Sequence, residues 1–442
     1  MKGLVCCLML VATANVQAQN DTAWTFSRCI KQAIEQNIQL KISENAELNA
    51  NYNYVESKWA IAPSVSGYAS GSMNFNRATD QDNNISEGNT YSVNFGVSAS
   101  MNLFSGLRLK NQMSVAKFNK LACNQSTQSA TNTLVVDVAN LYATVLYQKA
   151  MVDVCDSIYQ NSLKERDRIA SKVRAGQLQQ TALSEIEATA STNKLNLARS
   201  RNNYNLGILQ LAQAIEAESD GFTVAQSDFG AIEPHESLMT VDSVYSLACK
   251  NYPDVLAREY ELNASQSSLK MAKGGLLPTL SASASVGSGY YSTATDADGS
   301  TIPFGEQADN FMSPSIGLSL SIPIFNGRSR EMQVKRSKIA VENATYNLEN
   351  EKKQIRKEIE TAILMLNSYC LEYESAVANV KFANETYGAY LKKYQLGLVT
   401  TTELMTAQNQ LANAQATMLQ AKYLWIVQQL TLQIYTGEKI EL

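Results

Sequence analysis

The residues able to do chemistry are few and poorly placed for it. His235 is the only histidine in 442 residues, and it lies in the segment IEPHES with no cysteine or second histidine near it. It reads as a solvated loop residue, and neither a Ser-His-acid set nor a histidine metal site can be built around it. Cys29, Cys123, Cys155, Cys249 and Cys370 are widely spaced, odd in number and without a CxxC pair, so they read as buried or free thiols. The run DADG, Asp296 to Gly299, has neither the glycine nor the terminal glutamate spacing of a calcium loop. It reads as a hydrated turn at which Asp296, Asp298 and Asp309 bridge divalent ions at most weakly. No phosphate-binding GxxxxGKS run is present. The expectation is a chain without catalytic residues, cofactor or metal site, and not an enzyme.

What the sequence offers instead is hydroxyl groups at regular intervals. Ser98, Ser100, Ser283, Ser285, Ser319 and Ser321 fall at every second position of segments whose other positions are apolar. In YSVNFGVSASMNLFSGLR the apolar set is Tyr91, Val93, Phe95, Val97, Ala99, Met101 and Leu103. In MSPSIGLSLSIPIFNGR it is Pro314, Ile316, Leu318, Leu320, Ile322 and Ile324. Alternation of this kind makes a strand with one apolar and one wet face. Strands of roughly 9 to 11 residues with an apolar outer face cross bilayers in β-barrels. Two more alternating segments precede these, over Val65–Phe75 and Leu280–Gly287.

Residues 1–18 have the pattern of a secretory leader: Lys2, an apolar run from Leu4 to Ala14, and Val16-Gln17-Ala18 as cleavage site. No later stretch approaches the ~20 apolar residues of a membrane helix, so any crossing must use strands. A net charge of −4 argues against a nucleic-acid binder.

The remainder reads as one plan used twice. Repeat 1, residues 19–217, has a helix from Phe26 to Trp59, a stop at Pro63 and a β-hairpin over about 63–104. Between its strands lies a polar loop at 77–90. A corner at Gly106 leads into a long helix, a break at Gly176 and a further helix. Residues 218–240 form a linker. Repeat 2, residues 241–437, runs through a helix over Val241–Lys273, Pro278, a hairpin over about 278–325 with a loop at 292–310, a corner at Gly327, a long helix, a break at Gly397 and a last helix. Apolar residues recur every seventh position, as in Leu404, Leu411, Met418, Trp425 and Leu432, which is the seam of a coiled coil. Both ends of each hairpin continue into helices, so the helices lie on one side of the membrane and the two loops on the other. Four strands cannot close a barrel, and an open edge in lipid costs several kcal/mol per unpaired group. Copies must therefore share one: two would give eight strands with a side-chain-filled interior, three would give twelve with room for a pore.

With its duplication, its strand-to-helix corners LFSG and IFNG and the stretch YQLGLVTTTELMTAQNQL (Tyr394 to Leu411), the chain resembles the outer-membrane efflux family of TolC-like channel-tunnels. The resemblance implies a mixed α and β membrane protein in the outer membrane of a Gram-negative bacterium. Each repeat would give a two-stranded hairpin to a twelve-stranded trimeric β-barrel embedded in outer-membrane lipid, with long helices forming an α-barrel in the periplasm. It implies a passive exit duct, opened when a periplasmic adaptor (membrane fusion) protein and an inner-membrane transporter of RND or ABC type dock. The adaptor would meet the tips, at Ala175, Gly176, Gln177, Leu396, Gly397 and Leu398, although those glycines also serve simply to let the chain reverse. Thr181 and Tyr394 occupy the positions of a gate pair, while the accompanying acid–arginine pair falls on Ala182 and Val399 and is absent. Glu403 takes the place of an acid ring that would raise its carboxyl pKa; the second acid position falls on Thr406, a departure, though Glu185 in the first repeat stands at the equivalent spacing. An ordinary solvated helix face is the plainer reading of Glu185 and stands level with the acid ring for Glu403. The alternative function is a surface-anchored trimeric coiled coil, structural or adhesive, which would keep its strands at one end of the chain.

Overall fold

The computed structural model describes residues 23–79, 85–225, 232–236 and 239–437. The expected leader lies outside them. Two compact units divide the chain.

The first unit takes residues up to Leu40, Thr131–Val244 and Glu358–Leu442. It holds α1 (Phe26–Gln36), α4 (Gln180–Ala214), α9 (Thr401–Thr436), the later part of α3 (Arg108–Arg174) and the later part of α8 (Ser329–Gln395). Its core is built from the seven-residue pattern: Val138, Tyr142 and Val145 of α3, Leu211 of α4, and Trp425 and Leu432 of α9 are all buried. Phe26 and Tyr142 pack ring against ring at 5.4 Å. The buried Tyr142 hydroxyl donates to the Ala225 carbonyl at 2.7 Å, so its one polar atom is paired. His235 does more than face water, because its ring packs on Trp425 at 4.9 Å and its carbonyl accepts from the Trp425 indole N–H.

The helix expected as one piece over Phe26–Trp59 is two, α1 and α2 (Ile38–Trp59). Asn37 is the reason: its side-chain oxygen accepts from the Leu40 N–H at 3.1 Å and its amide donates to the Ala214 carbonyl. An Asn at this place starts a helix by satisfying one of its orphan donors. The helix expected over Val241–Lys273 is likewise two, α5 (Val241–Asn251) and α6 (Pro253–Gly274), and Pro253 takes the first helical position of the second.

The second unit, Lys41–Ala130 with Tyr245–Lys357, contains an antiparallel sheet in the order β1-β2-β3-β4. Its strands are β1 (Ser64–Thr79), β2 (Ile85–Phe104), β3 (Thr279–Tyr291) and β4 (Ser313–Ser321). The first hairpin is longer than its sequence indicated, since most of the polar stretch 77–90 belongs to β1 and β2. β4 is shorter, ending before Ile322 and Ile324. Register keeps the alternation in step across all four strands. Val65, Ala99, Ala284 and Ile316 form one cross-strand row, and Ser66, Ser98, Ser285 and Ser315 the next. A one-residue slip anywhere would mix the two faces.

The apolar face is open to solvent on β4 in a single chain: Ile316 is 89% exposed, Leu318 70% and Leu320 62%. Each such side chain gains about 1.5–3 kcal/mol when taken fully out of water. Among the described residues this face is covered only near the loops, where Phe304 stacks on Phe95, and a sheet that leaves the rest open is built to be covered by something apolar.

The loop between β3 and β4 carries an element the sequence did not announce, the short helix α7 (Phe304–Asn310). Its fully buried Gln307 accepts from the Tyr291 N–H at 2.8 Å and donates to the Tyr291 carbonyl at 3.1 Å. That exchange imitates the two bonds of an opposed residue pair in an antiparallel ladder, where β4 is too short to provide one.

Candidate functional site

Two regions carry function-like geometry: the hydroxyl face of the sheet and the two helical reversals. On the sheet, Ser66 and Ser98 meet at 3.2 Å, Ser285 and Ser315 at 2.7 Å, and Ser64 and Ser100 at 3.0 Å, hydroxyl to hydroxyl. Ser283, Ser319 and Ser321 share this face by register. Hydroxyls that pair sideways and keep lone pairs for water form a smooth, uncharged, wettable wall. Among the described residues no hydroxyl on this face is bonded to a base.

The strand-to-helix corners are alike in backbone. After Pro63 and Pro278 the strands begin, and each hairpin leaves through two successive left-handed residues, Gly106 with Leu107 and Gly327 with Arg328. Gly106 is held against the end of α6, where a β-carbon would lie 2.2 Å from the Gly274 carbonyl oxygen. Gly327, by contrast, has nothing within 4 Å.

At the reversals, α3 and α8 both end in a paired backbone motif. The Gln177 N–H reaches back to the Lys172 carbonyl and Gly176 to Val173; Leu398 reaches Lys393 and Gly397 reaches Tyr394. Gly176 (φ 72°) and Gly397 (φ 75°) supply the left-handed residue this Schellman turn requires. Ala175, Gly176 and Gln177 are exposed, as are Leu396 and Leu398, at 75% and 71%.

The helices that follow differ. Thr400 accepts from the Glu403 N–H, while Glu403 accepts from the Thr400 N–H at 2.7 Å, a complete capping box at the start of α9. Those bonds hold the Glu403 carboxyl below its usual range, opposite in sign to the rise expected from a ring of like charges. At the start of α4, Gln179 makes no capping bond. Glu185 is exposed on α4.

The expected gate pair is not joined within one chain. Thr181 bonds Gln179, and the Tyr394 hydroxyl lies 3.3 Å from the Thr401 hydroxyl. Sequence reasoning missed what else surrounds Tyr394. The Arg168 guanidinium sits 5.4 Å over its ring, donates to the Gln395 carbonyl and pairs with Glu165 at 3.6 Å. Burial, with Glu165 alongside, raises the Tyr394 phenol above its ordinary pKa. The available signal was an acid and an arginine three residues apart, two turns before the end of α3.

The outer membrane efflux protein model matches residues 29–216 and 244–438, covering both runs of helix, hairpin and helix and omitting the segment between them. The chain belongs to the outer membrane efflux protein family. It is accordingly an outer-membrane efflux channel, and the adhesive alternative is not favoured. Among relatives, the outer membrane efflux protein BepC of Brucella suis is 22% identical over 99% of this chain and 90% of its own length. Among solved structures, the CmeC outer membrane channel of Campylobacter jejuni superposes with a TM-score of 0.80 at 16% identity, covering 94% of this chain and 87% of CmeC. The outer membrane protein VceC of Vibrio cholerae gives 0.76 at 16% identity, covering 94% and 97%. At these identities the superpositions establish the fold of the efflux channel. Family members are channels, not enzymes.

Proposed function

We propose that three copies of this chain close one twelve-stranded barrel and continue it as a periplasmic tunnel of helices, so that the protein is the passive exit duct of a tripartite system. A periplasmic adaptor and an inner-membrane transporter, of the RND or ABC class, complete it. The observation that carries this reading is the sheet itself. Among the described residues β1 and β4 each pair on one side only, while the apolar face of the sheet is open along β4. In lipid, each unpaired edge group costs several kcal/mol. Pairing β4 of one copy with β1 of the next removes both edges at once and leaves the serine rows lining the bore.

Two helices support the same arrangement. α2 exposes Leu48, Tyr52, Val55 and Trp59, and α8 exposes Met332, Ile339 and Tyr346 at seven-residue spacing. These are seams of coiled coils lacking a second helix. The open Gly327 corner fits the end of a neighbouring α2, as Gly106 accepts the end of α6 within the chain.

At the tips, Ala175–Gln177 and Leu396–Leu398 meet the adaptor. Thr181 and Tyr394 form the gate contact between copies, and Glu403 and Glu185 line the narrow end. Glu403 has a second duty there as a helix cap.

The test is a cysteine pair, Tyr52→Cys with Ile339→Cys, oxidised in intact envelopes. Linked species of two and three chains are expected from the double variant and not from either single one. A double variant that remains one chain under oxidation removes the shared barrel.

A further inference from the structure

On the hydroxyl face Tyr68 is the one large residue in a row of glycine and serine, set apart from Tyr291, which lies nearer the loops with its hydroxyl bonded to Asn94. Tyr68 pairs with Gly96, and Gly96 pairs with Gly287, so a tyrosine stands beside two glycines in line across three strands. Its phenol lies down over them. A β-carbon at Gly96 would be 2.9 Å from the Tyr68 hydroxyl, and one at Gly287 would be 2.8 Å from it. Both distances are shorter than carbon and oxygen tolerate, so the two glycines form a trough that the ring fills. The rows nearer the helices are serine at every strand or nearly so, and they offer no such depression. Tyr68 is 49% exposed, and its hydroxyl has no hydrogen-bond partner among the described residues. One face of the ring therefore rests on the wall and the other meets water.

We propose that Gly96 and Gly287 hold Tyr68 clear of the bore, recessed so that three copies line it with flat aromatic surfaces instead of blocking it. This rests on the reading that the hydroxyl face lines a shared lumen. Aromatic side chains cover neighbouring glycines in sheets for stability alone, and the two roles separate by where the ring goes when the trough is filled. At Gly287 the close neighbour of an added β-carbon is the far end of a movable side chain, with the Phe95 carbonyl oxygen at 3.1 Å. At Gly96 the nearest atom is the Val286 carbonyl oxygen of the backbone, at 2.6 Å. Substitution at Gly287 should therefore lift the ring off the wall, while substitution at Gly96 should disturb strand pairing.

The experiment labels Ser319→Cys, on the hydroxyl face nearer the helices, with a bulky maleimide added outside intact cells. It does not depend on the state of the periplasmic tip. Filling the trough with Gly287→Ala or Gly287→Val should slow labelling, by about tenfold for valine, the change made by ~1.4 kcal/mol of added barrier. Adding Tyr68→Ala should restore the original rate, and Tyr68→Ala alone should change it little because the ring is already out of the way. Slowing that persists in Gly287→Val with Tyr68→Ala, or no slowing in either glycine variant, overturns the proposal. So does a large acceleration in Tyr68→Ala alone, a measurement that needs no glycine variant to assemble. If Ser319→Cys is never labelled while Ile316→Cys on the opposite face is, the assignment of the lumen face fails instead.

Discussion

At Gly176 and at Gly397 the chain stops a 67-residue helix with the same pair of backbone bonds. The helix that follows is started by an uncapped Gln179 in one case and by a Thr400–Glu403 capping box in the other. Around the second reversal Tyr394 is further held by Thr401 and by Arg168 from α3. The two reversals thus end their helices alike and start the next ones differently. The physical consequence is that the start of α4 is held by fewer side-chain bonds than the start of α9, although both follow the same backbone turn. Two halves of one plan can share a backbone and differ in stiffness.

The largest effects should fall where the halves agree. Valine at Gly176 or Gly397 forces a β-branched residue into a left-handed conformation, and each change should cost about 1–2 kcal/mol of local stability. No neighbouring atom is touched at either site, so the two losses should match in amide exchange across the turns. A much smaller loss at one of them breaks the equivalence of the reversals.

Where they differ, Thr400→Ala should cost about 1 kcal/mol at the start of α9, while Gln179→Ala should leave α4 unchanged. Exchange rates of the first-turn amides report both. The converse change sharpens the comparison: Gln179→Thr with Ala182→Glu places a capping box at the same positions of the first tip. It should slow exchange there by up to ~1 kcal/mol. No gain would mean that another constraint already orders that turn.

A smaller effect follows from pH. The Glu403 carboxyl titrates below its unfolded value because it accepts the cap bonds. Its contribution is therefore present above the unfolded carboxylate pKa and is lost as pH falls through the depressed one. Acidification should loosen the start of α9 and leave the start of α4 unaffected, read by the same amides. Equal loosening at both assigns the change to something other than the cap.

The sheet and the long helices were legible because their signals are periodic and extend over many residues. Serine against valine at period two fixes a face, and Leu404 through Leu432 at period seven fixes a seam. The breaks at Asn37 and Pro253 were less visible, since one side-chain bond at Asn37 and one proline at a position that a helix tolerates decide between one helix and two. α7 escaped because its role depends on Gln307 meeting Tyr291 across a long loop. At the tip, the stretch from Tyr394 to Glu403 was recognised, but as a gate and an acid ring. The structure gives part of that spacing a local cause, with Gly397 ending one helix and Thr400 with Glu403 starting the next. Arg168 beside Tyr394 joins residues far apart in the chain, which no local pattern records.

The claim beneath all of this is that one chain supplies only a third of the membrane ring. Native mass spectrometry of protein extracted gently from outer membranes tests it most directly. A dominant species of three chains is the expected result. A single chain, or a closed pair, under conditions that keep other membrane barrels assembled would contradict the account.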